Sequence, residues 1–121
     1  MRVLYLDDER ALVLLVSRML EHLGHAVLGF TNAEQALQAF KASPREFGLV
    51  LTDMSMPGMS GLEFAQQILA IDPKAIVIIA TGCEDPNWAD HARTSGVRAV
   101  IEKPGTIQQM AQVLERLPGE T

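Results

Sequence analysis

The sequence predicts an α/β domain built on an open parallel sheet, and three observations carry that expectation. First, four short apolar runs rich in Val, Ile and Leu punctuate the chain, at 3–6, 48–52, 75–80 and 97–102. Such runs read as strands buried on both faces, as parallel strands are. Second, segments with helical spacing of apolar residues separate the runs at intervals of about twenty-odd residues, the rhythm of repeated βα units. Third, the runs end on residues that can handle phosphate or a metal: Asp7-Asp8, Asp53, Thr81 and Lys103-Pro104. Ligands of an open parallel sheet bind outside the carboxyl ends of its strands. One fold would bring all of these groups to one edge.

The elements follow in order. After Val3-Leu4-Tyr5-Leu6, a helix is expected from near Glu9 to Gly24, with Leu12, Leu15, Val16, Met19, Leu20 and Leu23 as its apolar stripe. Gly24 is a natural helix stop. The run from His25 to Phe30 reads as a second, shorter strand. Thr31 or Asn32 then caps a helix, with Glu34 or Gln35 three residues on, and that helix ends before Pro44. Gly48 to Thr52 form the next strand, and Met54 to Gly61 form a loop rich in Pro and Gly. A helix from Leu62 to Ile71 is closed by Asp72-Pro73. The run Ala75–Ala80 is followed by a fourth helix that starts at Asp85-Pro86 and ends at Gly96. Val97–Glu102 is the last strand, and Thr106 caps a fifth helix whose Ile107, Met110, Ala111 and Leu114 face inward. Pro118 to Thr121 read as a terminus or as the first residues of a linker.

With 121 residues the chain is expected to be one domain, 1–121, large enough for a real core. Its 48% hydrophobic and 21% charged content are those of a soluble globular protein. A formal charge of −5, with Lys and Arg scattered, argues against direct contact with nucleic acid. A single cysteine, Cys83, fits a reducing compartment. The first residues hold too short an apolar stretch for a signal peptide, and no run approaches a membrane span. A cytoplasmic location is the expectation.

The acids suggest how the chemistry would run. A hard cation such as Mg²⁺ binds through one or two carboxylates plus waters and phosphate oxygens. Asp7, Asp8 and Asp53 supply three, so one can serve as nucleophile, since Asp carboxylates form acyl phosphates. Asp53 suits that role best, standing alone on the middle strand before a loop that exposes it. Lys103 can neutralise a phosphoryl oxygen, and Thr81 can donate a hydrogen bond to another. Each residue has an ordinary use when taken singly. An Asp after a strand is commonly a turn former, a lone Thr bonds nearby backbone, and a lone Lys is a solvated charge. Their coincidence at the strand ends is what points to chemistry.

The segments Leu6-Asp7-Asp8-Glu9, Leu51-Thr52-Asp53-Met54-Ser55-Met56-Pro57-Gly58-Met59-Ser60-Gly61, Ala80-Thr81-Gly82 and Glu102-Lys103-Pro104 resemble those of response-regulator receiver domains of bacterial two-component signalling. The likeness runs from Arg2 to about Leu117. It implies a doubly wound, flavodoxin-like, five-stranded parallel sheet of order 2-1-3-4-5 flanked by five helices. It also implies that Asp53 accepts a phosphoryl group from the phosphohistidine of a histidine kinase or histidine phosphotransfer protein. On the same resemblance, Asp8, Asp53 and the Met54 carbonyl hold Mg²⁺, and Asp7 acts through a water. Thr81 is then the switch hydroxyl, Lys103 the phosphate partner, and the peptide before Pro104 is cis.

Three positions depart from the family pattern. Val100 stands where an aromatic often reports the switch, Gly105 where an aromatic often follows Lys-Pro, and Gly82 where Ala is common. The phosphoryl-binding set is complete, but the usual movement of a ring has no ring to use.

Lesser candidates are few. Val13 and Leu14 widen the apolar face of the first helix, either for burial or for docking a kinase or phosphotransfer helix. Trp88 is either packing or a partner anchor. Cys83 reads as a small side chain, and His22, His25 and His91 lack metal-ligand spacing. The competing functional class is a Mg²⁺-dependent phosphatase with an aspartyl nucleophile on a similar sheet. Those enzymes share Asp-x-Asp-x-Thr after the first strand, whereas this chain has Asp7-Asp8-Glu9-Arg10 there and no insertion for a substrate cap.

Overall fold

The computed structural model describes residues 2–82, 90 and 92–102. In chain order the elements are β1 (Arg2–Leu6), α1 (Arg10–His22), β2 (Ala26–Phe30), α2 (Ala33–Ala42), a 3₁₀ turn (Pro44–Glu46), β3 (Leu49–Asp53), α3 (Gly61–Ile71), β4 (Val77–Thr81) and β5 (Ala99–Glu102). A helical stretch at 92–94 precedes β5. Every strand pairing is parallel, and the sheet order is β2-β1-β3-β4-β5. This is the flavodoxin-like architecture. Most of the expected fourth helix, with Cys83, Trp88 and His91, lies outside the described residues, as do Lys103, the cis peptide expected before Pro104, Gly105 and the fifth helix.

The strands sort their side chains by parity, because successive residues of a strand point to opposite faces. Leu4, Leu6, Val50, Val77 and Ile79 pack on one face with Ala36, Leu37 and Phe40 of α2 and Phe64, Ala65 and Ile68 of α3. Val3, Tyr5, Leu49, Leu51, Ile78 and Ala80 pack on the other with Val13, Val16 and Leu20 of α1. Helices therefore cover both faces, which explains the continuous apolar runs of β1, β3 and β4. Burying each large side chain here contributes about 1.5–3 kcal/mol relative to leaving it exposed.

Local signals set the helix ends. Gly24 has φ +96°, and around it the His25 N–H donates to the Leu20 carbonyl and the Gly24 N–H to the Glu21 carbonyl. That is a Schellman closure of α1, which only glycine enters without steric cost. Asn32 caps α2 by accepting from the Gln35 N–H at 3.0 Å. Ser60 caps α3 through a full capping box with Glu63, placing the helix start at Gly61, one residue before the expected Leu62.

One expectation is corrected. Leu15 was expected in the α1 stripe, but it is 47% exposed, and Leu14 is 56% exposed. Val13, Val16 and Leu20 are the residues that turn inward. A helical period gives the width of an apolar face, while the line that meets the sheet is chosen by the strand beneath. Here Gly29 of β2 leaves room for Val13: a Cβ at Gly29 would run into the Val13 Cγ1 and come within 3.2 Å of the Ser17 Oγ. No helix among the described residues is long and apolar enough to cross a membrane.

Candidate functional site

The chain leaves β1 toward β2 on one side and returns to β3 on the other, so the sheet changes direction between β1 and β3. Such a switch point opens a crevice at the carboxyl ends of the strands, and ligands bind there. Leu6 pairs with Thr52, so the next residues, Asp7 and Asp53, stand side by side at that crevice. Asp53 pairs with Ala80, which places Thr81 one step further along the same edge. Thr81 pairs in turn with Glu102, the residue before Lys103.

One carboxylate oxygen from each of Asp7, Asp8 and Asp53 lies within 4.8 Å of the other two. Asp7 is fully buried and Asp8 is exposed to solvent, whereas Asp53, expected to be left exposed by the loop after it, is only 4% exposed because it ends a strand flanked by β1 and β4. Two buried carboxylates beside a third repel one another strongly, and a bound cation relieves that repulsion. Oxygens gathered this closely could be shared by a single cation. An all-oxygen set of this kind suits a hard cation such as Mg²⁺ rather than a soft metal.

The backbone at the exit of β3 is held on both sides. The Met54 N–H donates to the Ala80 carbonyl at 2.9 Å, which binds the strand exit to β4. The Gly61 N–H donates to the Met54 carbonyl at 2.8 Å, using one of the two lone pairs of that oxygen. Gly61 is small by necessity. A Cβ there would collide with the Asp53 carbonyl oxygen and lie 2.8 Å from the Met54 Cα.

The Asp7 carboxylate is anchored at both ends. Its Oδ1 accepts from the Glu9 N–H at 2.9 Å and its Oδ2 from the Tyr5 hydroxyl at 3.1 Å. Burial, followed by the negative charge of Asp7, pushes the Tyr5 phenol far above its ordinary range, so it stays a donor. Thr52 Oγ1, also buried, donates to the Asp53 carbonyl at 3.0 Å and stiffens the end of β3.

The structure thus brings together Asp7, Asp8, Asp53, the Met54 carbonyl and Thr81 at one edge. Lys103 lies outside the described residues. Val100 pairs with Ile79 and packs against the core, while Gly82 is exposed and, among the described residues, nothing lies within 4 Å of where its Cβ would be. His22 and His25 belong to no group of potential metal ligands among the described residues. Sequence reasoning missed Tyr5 and Gly61. The signal for Tyr5 was its place two residues before Asp7, hence on the same face of β1; Gly61 carried no signal beyond a loop glycine.

A family model described as the response regulator receiver domain matches residues 3–115. The chain is 35% identical over 114 residues to the C4-dicarboxylate transport transcriptional regulatory protein DctD of Rhizobium meliloti, covering 94% of this chain and 24% of that protein. It is 34% identical over 124 residues to the sensor histidine kinase GacS of Pseudomonas protegens, covering 98% of this chain and 13% of that one. The chain therefore spans less than a quarter of either relative. Among solved structures, a response regulator receiver domain protein from Clostridium thermocellum superposes with a TM-score of 0.87 at 30% identity, over 95% of this chain and 91% of that one.

Proposed function

Because the chain belongs to the response regulator receiver domain family, we propose that it is a phosphorylation-activated signalling switch with Asp53 as its phosphoryl acceptor. Receiver domains are regulatory domains of two-component systems, working through phosphorylation. The observation that carries the proposal is the position of Asp53 at the end of β3, beside the switch point, with a carboxylate oxygen within 4.8 Å of oxygens of both Asp7 and Asp8.

The phosphoryl donor is the phosphohistidine of a histidine kinase or histidine phosphotransfer protein. An Asp53 carboxylate oxygen attacks phosphorus and an O–P bond forms. The P–N bond to the donor imidazole breaks, and its electron pair stays on the ring nitrogen, which takes up a proton. Mg²⁺ supplies charge neutralisation for the transferring group. Asp8, Asp53 and the Met54 carbonyl would hold that ion, with Asp7 acting through a water. Thr81 donates to a phosphoryl oxygen, and Lys103 pairs with another as a point charge.

The whole of 1–121 is proposed as this one domain, cytoplasmic, touching neither nucleic acid nor membrane itself. Its state is read by an output domain or partner protein. The test is to treat the protein with acetyl phosphate and Mg²⁺ and measure intact mass. One added phosphoryl group is expected in the wild type and none in Asp53→Asn. Labelling of Asp53→Asn at the wild-type level would remove the assignment.

A further inference from the structure

Among the described residues, Tyr5 is the one buried titratable group at the site that the proposed chemistry leaves without a task. Its ring is 1% exposed, held among Val3, Val13, Val16, Leu20 and Leu51 on the α1 face of the sheet. Its hydroxyl reaches along the strand to Asp7 Oδ2 at 3.1 Å. The Glu9 N–H meets Oδ1 at 2.9 Å from the start of α1.

We propose that Tyr5 is a positioning residue for the cation site: its phenol sets the orientation and charge density of the Asp7 carboxylate, and through it the affinity of the Asp7–Asp8–Asp53 cluster for Mg²⁺. The inference rests on reading that cluster as the metal site. The terminal torsion of a carboxylate is broad, so a carboxylate bonded at one oxygen swings easily. A second donor on the other oxygen removes that freedom, since rotation breaks both bonds. Tyr5 can supply that donor because residues two apart on a strand share a face. Its ring has two torsions, and both are fixed by core packing. A bond from a phenol to a carboxylate is charge-assisted, so it also draws electron density from Asp7 and eases the crowding of three acids. Partners that orient a metal ligand commonly change metal affinity by about 10–100-fold when removed.

Tyr5 is the only tyrosine, so carbon-13 tyrosine labelled at Cζ yields a single NMR resonance from this group. Mg²⁺ is titrated into the wild type and Tyr5→Phe, with the resonance followed in the former and calorimetry run on both. The expected result is a Tyr5 resonance that moves in step with the binding isotherm, and a folded Tyr5→Phe that binds Mg²⁺ about tenfold more weakly. Equal affinity in both proteins, with a stationary Tyr5 resonance, overturns the role of Tyr5 while the metal site stands. No Mg²⁺ binding by the wild type overturns the metal site and this inference with it. Should Tyr5→Phe fail to fold, the wild-type resonance decides alone: a saturating shift supports the role and a static line overturns it.

Discussion

The Gly61 N–H donates a 2.8 Å hydrogen bond to the Met54 carbonyl, tying the first residue of α3 to the residue that follows Asp53. The loop between them leaves the sheet and returns to it, so its two ends are fixed by one bond. The position of the phosphoacceptor proposed here therefore depends on a glycine that carries no chemistry of its own.

Gly61→Ala is expected to disturb the site from outside it. A Cβ would strike the Asp53 carbonyl oxygen and crowd the Met54 Cα, both backbone atoms, so α3 or the end of β3 must move. A stability loss of about 1–3 kcal/mol is expected, with slower labelling by acetyl phosphate. Gly82→Ala is the control: among the described residues nothing lies within 4 Å of its Cβ, so its stability should stay within about 0.5 kcal/mol of wild type. Chemical denaturation of both variants checks the pair, and equal stability of the two would refute the steric account.

Asp8→Ala removes the exposed member of the acidic cluster. Mg²⁺ affinity is expected to fall by about tenfold or more, because a hard cation with few protein ligands loses one of them. Stability without metal should be unchanged or higher, since one of three like charges is gone. Calorimetry and thermal melts in chelator measure the two effects separately. Unchanged Mg²⁺ affinity would place the cation elsewhere.

Alkaline pH should expose the buried phenol. Burial and the Asp7 charge raise the folded-state pKa of Tyr5 above its ordinary 10.0. Below pH 10 both folded and unfolded chains hold the proton, and this contribution to stability is fully present. Above pH 10 the unfolded chain releases the proton first, so stability falls as pH rises toward the folded-state value. The slope from one proton is at most about 1.4 kcal/mol per pH unit. Urea titrations in metal-free buffer from pH 8 to 11 should show this loss in the wild type, and Tyr5→Phe should lose less over the same range.

Thr81→Ala separates binding from readout. Thr81 is buried at the end of β4, and Val100 offers no ring to move. Beryllofluoride with Mg²⁺ should change the emission of Trp88, the only tryptophan, in the wild type. Thr81→Ala should reduce that change while Asp53 still binds the analogue. An identical response in both proteins would show that the hydroxyl does not couple the site to the rest of the domain.

Much of this protein was legible in its residues alone. Apolar runs mark β1, β3 and β4 because a strand covered on both faces cannot afford polar side chains. The acids and Thr81 mark the strand ends because a parallel sheet exposes its carboxyl edge to ligands. Helix stops were readable where one residue governs backbone geometry, as at Gly24 with φ +96°. The tertiary structure decided what depends on neighbours distant in sequence. The rotation of α1, with Val13 inward and Leu15 outward, follows from the space above Gly29 of β2, nineteen residues after the helix start at Arg10. Gly61 is constrained by the backbone of Asp53, which approaches only once α3 has packed on the sheet. Tyr5 reads as one more apolar residue until its ring is buried, and only then does its hydroxyl meet Asp7. Periodicity and end signals are local properties of the chain, whereas close contact is a property of surfaces that meet after folding.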